Sequence, residues 1–251
     1  AVFARREIRK PLILFTMLLL LAASGAVVPA RAAAPADPGV SLPGLDEVGY
    51  IAAAREEQFY KGVKAHNKQE YTLARRLWSP LARVGDAEAQ FFLGLIYDNG
   101  HEVARDAAVA ASWYRRAARA GHQQAQHNLA VAYAEGDGVA PNPRRAIALW
   151  RQAARQGSVD AQYNLGVVYA LGKYGVGQDL RKAQWWWRMA AISGDVMAQY
   201  NLGTLYANGE GVTRSYCEAV RWWEKSAKRG YQQAHQALTI LTARADYRAC
   251  W

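Results

Sequence analysis

Between about residue 87 and residue 231, apolar positions recur at helical spacing in short blocks, and glycine-rich polar breaks separate the blocks. Ala89, Leu93 and Tyr97 stand at i, i+4 and i+8, which places them on one face of a helix. After the break, Ala110, Trp113, Tyr114 and Ala117 mark the packing face of a second helix. No stretch alternates in the Val/Ile/Thr manner of strands, so the pattern predicts an all-α fold.

The same blocks return at a longer period. Ala89-Gln90 reappears as Ala125-Gln126, Ala161-Gln162 and Ala198-Gln199, with Ala234-His235 as a fifth echo, in steps of 36, 36, 37 and 36 residues. Leu93-Gly94 returns as Leu129-Ala130, Leu165-Gly166 and Leu202-Gly203, and Tyr97 as Tyr133, Tyr169 and Tyr206. In the second helix the aromatic positions become Leu149-Trp150, Trp186-Trp187 and Trp222-Trp223, and read as core. Many landmarks in one phase define helix–turn–helix repeats at 87–122, 123–158, 159–195 and 196–231. The 37-residue step traces to one extra residue between Gly172 and Gly175, in a turn, where both helices keep their register.

Local signals fix the ends. Asp86, Ser158 and Asp195 stand as N-caps of first helices. Asn142 before Pro143 opens one second helix, and Ser215 with Glu218 reads as a capping box at another. Gly121 and its equivalents close the second helices. Glu102 stands where the other turns carry a second glycine, which predicts a distorted first turn.

The pattern A-x-x-x-L-G-x-x-Y-x-x-G-x-G-V, followed by A-x-x-W-[YW]-x-x-A-A-x-x-G, resembles the Sel1-like repeat, a relative of the tetratricopeptide repeat. The resemblance covers 87–231 and implies a right-handed α-solenoid of helix–turn–helix repeats with capping helices, whose work is protein–protein interaction. Residues 47–86 fit a degenerate N-terminal repeat, and 232–251 a C-terminal capping helix with a cysteine-bearing tail. First helices are then expected to line a concave face. Carried over from tetratricopeptide-like domains, the peptide-contacting asparagine before Leu-Gly falls on Asn128, Asn164 and Asn201. His127, Tyr163 and Tyr200, one residue earlier, add contact area to this expected partner-binding site.

Residues 1–32 read as a signal peptide: Arg5, Arg6, Arg9 and Lys10, an apolar run from Leu12 to Ala23, and Ala30-Arg31-Ala32 as a cleavage site. A general secretory route is expected ahead of twin-arginine export, and an Ala/Pro/Gly-rich linker follows over 33–46. The expected location is the bacterial periplasm or the medium, as an envelope adaptor or regulator. The alternative is a structural part of an envelope export complex or a secreted host-interaction factor. An uncleaved signal would be the sole membrane contact.

Composition alters little: the 251 residues are 51% hydrophobic and 21% charged. The formal charge of +10 raises nucleic acid as a partner, but the cations are scattered along the chain and the N-terminus points to export. The first 32 residues hold five basic residues and one acidic one, leaving +6. Arg115, Arg151 and Arg188 read as a solvated ladder on the second helices.

Candidate chemistry is sparse. The histidines show no H-x-x-x-H and the cysteines no C-x-x-C, so no metal or cofactor is expected. Some Sel1-like proteins are linked to β-lactam hydrolysis or binding, which keeps a hydrolase as a remote alternative. Yet none of the eight serines has a lysine three residues on, so no catalytic residue is expected. Cys217 and Cys250, in an exported chain, are expected to pair as a disulfide.

Overall fold

The structure, a computed structural model, describes residues 47–243. The predicted signal peptide and linker, and the tail that carries Cys250, lie outside the described residues. Eleven helices and no strand make up the described part: α1 (Glu47–Asn67), α2 (Tyr71–Arg83), α3 (Ala87–Asn99), α4 (Ala107–Arg119), α5 (Gln123–Glu135), α6 (Pro143–Arg155), α7 (Val159–Leu171), α8 (Leu180–Ile192), α9 (Val196–Asn208), α10 (Tyr216–Ala227) and α11 (Gln232–Thr242). Each packs chiefly on its sequence neighbours, as a solenoid requires. Helices α3, α5, α7 and α9 are the first helices of the repeats, and α4, α6, α8 and α10 the second.

Eight consecutive helices, α3 to α10, start on a side chain that accepts from the backbone N–H three residues on. One of these caps is the imidazole of His122, whose Nδ1 accepts from Ala125 N at 3.2 Å. Ser215 makes half of its expected box. Its Oγ accepts from Glu218 N, but the Glu218 carboxylate turns to Arg221 at 2.7 Å. The reciprocal bond is not needed, because Ser215 N already donates to Tyr206 O. The same closure, from the N-cap N–H of the second helix to the repeat tyrosine's carbonyl, recurs at Asp106, Asn142 and Asp179. The 37-residue repeat keeps it, so the extra residue is absorbed within the turn.

The first turn is not distorted. Glu102 adopts φ +53°, in the left-handed region that its glycine equivalents occupy, and its carboxylate accepts from Thr72 N. A glycine is obligatory at Gly138 and Gly211 for another reason. A Cβ there would stand 2.1 Å from Ala107 O or 2.6 Å from Leu180 C, in the backbone of the preceding repeat's second helix.

The pair within each repeat is closed by one contact. The rings of Tyr114, Trp187 and Trp223 lie against Gly94, Gly166 and Gly203, where an added Cβ would meet them at 2.3 to 2.5 Å. Gly62 and Trp78 make the same contact between α1 and α2. Trp78 and Trp223 donate their indole N–H to Phe59 O and Tyr200 O, at 3.1 and 3.0 Å. In the second repeat Ala130 replaces the glycine, and there the buried Trp150 Nε1 has no hydrogen-bond partner. Glutamine of the Ala-Gln pair does equivalent work between repeats: Gln90, Gln126, Gln162 and Gln199 donate to the carbonyls of Ala82, Ala118, Ala154 and Ala191, near the end of the preceding second helix. These carbonyls would otherwise be buried without a full set of donors.

Candidate functional site

The six residues expected to face a partner do not form an open ladder. Asn128, Asn164 and Asn201 are 4%, 0% and 3% exposed, and His127, Tyr163 and Tyr200 are also buried. Position explains this. Phe91, which precedes the asparagine-equivalent Phe92, stacks on His122, the N-cap of the next repeat's first helix, with ring centroids 4.5 Å apart. Tyr200 likewise meets Tyr231 at 5.3 Å. Phe92 faces backward onto Trp78, at 4.7 Å. The two positions thus fill the forward and backward contacts between repeats. Helix α7, apolar nearly all round, buries ten of its thirteen residues.

Asn128, one of the six, borders a cavity. This cavity, about 530 Å³, lies between the first repeat's turn and α5. It is acidic: Asp98, Glu135 and Asp137 line it, with Arg105 paired to Asp98 and Asp137. Tyr114 Oη donates to Asp98 at 3.1 Å; burial and then the Asp98 charge hold this phenol well above its ordinary pKa.

A larger cavity, about 860 Å³, opens between α4 and α6 over α5. Arg115 and Arg119 come from α4, Arg145 and Gln152 from α6, and Leu129 and Tyr133 from α5, with no carboxylate in the lining. Arg145 donates to Tyr133 Oη at 3.3 Å. Burial would raise the Tyr133 pKa, but Arg145 and Arg115 beside its oxygen outweigh that and lower it. The site suits a carboxylate or another anion, which a fork of guanidinium donors binds in defined geometry.

The arginine ladder has a structural use that its spacing hid. Arg151 donates to Tyr169 Oη in the next repeat at 2.5 Å, Arg75 approaches Tyr97 Oη at 3.5 Å, and Arg115 sits beside Tyr133. Each links a second helix to the following first helix.

In space the charge is not scattered. Second helices carry three Lys or Arg residues in α4, four in α6, three in α8 and two in α10, against Glu218 and Glu224 alone. First helices α3, α5, α7 and α9 carry no lysine or arginine. Alternation of the two helix types along the chain makes this partition look like scatter in one dimension. The first helices are the more buried set, so the outer layer is cationic.

Trp187 and Trp223 are core residues, and Trp186 and Trp222 are half-buried. Trp185 is exposed and lies outside the core. Among the described residues no group of three or more His, Cys, Asp or Glu is placed to hold a metal ion. No described helix is long and apolar enough to cross a membrane. Cys217 stands in the first turn of α10, and its expected pairing lies outside the described residues.

Helix pairs stacked in phase, each closed by an aromatic on a small residue and joined to the next by polar side chains, define a helical-repeat scaffold protein. The Sel1 repeat matches residues 87–122, 123–158, 159–195 and 196–231, more than half of the chain, and the protein belongs to the Sel1 repeat family. Sel1 repeat proteins are generally non-catalytic scaffolds that typically mediate protein interactions. A protective antigen of uropathogenic Escherichia coli with an SLR fold is similar at 33% identity and TM-score 0.71, over 76% of this chain. The chain spans 42% of that antigen's length. A Sel1 repeat protein of Oxalobacter formigenes is similar at 31% identity and TM-score 0.66, over 70% of this chain and 71% of that one. No curated protein matches the chain.

Proposed function

We propose that this Sel1 repeat protein is an exported scaffold of the bacterial envelope that holds a partner protein by an acidic segment. One observation carries the choice of site: the groove between α4 and α6 gathers three arginines and no acid around an open volume of about 860 Å³. The buried asparagine ladder offers no comparable surface. Export is supported by the basic, apolar and small-residue order of residues 5–32. That a similar protein of uropathogenic E. coli is a protective antigen agrees with an envelope or surface location.

The site is tested by capture from envelope extracts, with cross-linking to map the partner segment. Arg119→Glu with Arg145→Glu is expected to abolish capture and leave helical CD unchanged. Asn128→Ala, at the acidic cavity, is expected to leave capture intact. Capture lost with Asn128→Ala and kept with the arginine reversals would move the partner to the inner cavity and sink the proposal. Export is tested separately: periplasmic protein should begin at Ala33, and recovery from the culture medium would favour the secreted alternative.

A further inference from the structure

One outer helix departs from its repeat. Trp185, Met189 and Ile192 stand at i, i+4 and i+7 on α8, on one face, and are 53%, 41% and 66% exposed. Repeat equivalence makes the departure measurable. The Trp185 position is Ser112 in α4, Ala148 in α6 and Arg221 in α10. The Met189 position is Arg116, Gln152 and Lys225, and the Ile192 position is Arg119, Arg155 and Lys228. Elsewhere the crest is polar or basic apart from the small Ala148; on α8 it is apolar and large.

The cover of the neighbouring tryptophan changes with it. Arg116 lies over Trp113 at 4.7 Å, and Lys225 over Trp222 at 4.3 Å. In α8 the equivalent tryptophan is Trp186, and Met189 takes the cation's place. Trp185 packs edge-on against Trp186 at 4.3 Å. The result is an apolar crest on a helix with no acid, beside Arg181 and Arg188. On α10, the next second helix along the chain, Glu218 is already paired with Arg221.

We propose that this crest docks the folded protein on an anionic lipid surface, with Trp185, Met189 and Ile192 in the interface and the cations of the outer layer on the headgroups. Charge complementarity selects lipid over a second copy of this chain, whose own outer layer is equally cationic. Size selects it over a protein partner. The crest consists of three side chains, whereas a stable protein interface takes about 800 Å² and about 20–30 residues per partner. Neither of the two cavities described above includes a crest residue. A tryptophan, two aliphatic chains and surrounding arginines suit an interfacial seat, where apolar burial and attraction to anionic lipid add.

The test uses the full chain with vesicles of phosphatidylethanolamine and phosphatidylglycerol that carry acyl-brominated lipid. The reporter is tryptophan emission, and the apolar N-terminal run contains no tryptophan, so that run adds nothing to the signal. Wild-type emission is expected to be quenched on these vesicles and not on phosphatidylcholine, and Trp185→Phe removes most of the quenching. Met189→Arg with Ile192→Arg keeps Trp185 as the reporter and adds two positive charges. Its quenching is expected to fall roughly tenfold at about 150 mM salt, because lost apolar contact outweighs added charge. Equal or stronger quenching in that variant means adsorption by charge alone and overturns the proposal. So does a wild type that binds vesicles without quenching, or does not bind them.

Discussion

Replacing Gly203 by alanine probes the contact that closes each helix pair. The new Cβ would stand 2.5 Å from Cδ1 of Trp223 and 3.0 Å from Ala219 O. The ring is held: Trp223 is buried and its indole N–H donates to Tyr200 O at 3.0 Å. Overpacking a core costs about 1–3 kcal/mol. A ring pushed off its site leaves a buried N–H unpaired, about 1–3 kcal/mol more. Better helix propensity of alanine returns about 1 kcal/mol. The expected net loss is about 3 kcal/mol, taking the middle of each range. Urea unfolding followed by CD measures it, and hydrogen exchange localises it to α9 and α10, since repeat arrays open unit by unit. In a Trp223→Leu background the methyl has room, and the cost should drop below about 1 kcal/mol. A single variant within about 0.5 kcal/mol of wild type, or more stable, refutes the reasoning.

Other consequences are equally direct. Asp195→Ala removes the buried cap that accepts from Ala198 N at 2.7 Å, and should cost about 1–2 kcal/mol, read as a lower Tm. Burial and then His101 lower the His66 pKa below 6.5, against a hydrogen bond with Asn67 that raises it. The folded state therefore disfavours the proton: stability is full above pH 6.5 and falls as pH drops through the lowered value. Urea midpoints near pH 7.5 and pH 5 should differ in wild type and converge in His66→Phe; equal wild-type midpoints would contradict the shift. If Cys217 and Cys250 pair, thiol titration of unreduced protein finds none, and reductant lowers stability by about 3 kcal/mol.

Phase was the most legible property of the sequence. A step of 36 residues, repeated through Leu-Gly, Tyr and Trp, leaves no room for strands or for a second core, and every predicted cap among Asp86, Asn142, Ser158, Asp195 and Ser215 is made. The purpose of individual letters was less legible. Gln90 and its equivalents carry a carbonyl bond eight residues back, which no periodicity reveals. The His122 cap was missed because imidazole is an uncommon cap, although its position three residues before Ala125 was a usable signal. The asparagine ladder misled because an off-stripe position was equated with an open one. A first helix flanked by its own partner and by the repeats before and after it has almost no free side, as α7 shows. The charge partition was available from the sequence once each repeat was split into its two helices.

The aromatic–glycine closure lies within one repeat, whereas the Arg151–Tyr169 bond crosses a boundary at an offset of 18. Both depend only on phase. Recombination between copies that adds or removes a whole repeat therefore keeps the phase on which closures and links depend, although Ala130 and Glu224 show that single letters vary between copies. Length in such a chain can change in heredity by unit steps without a new core having to be found, and the ends alone must adapt.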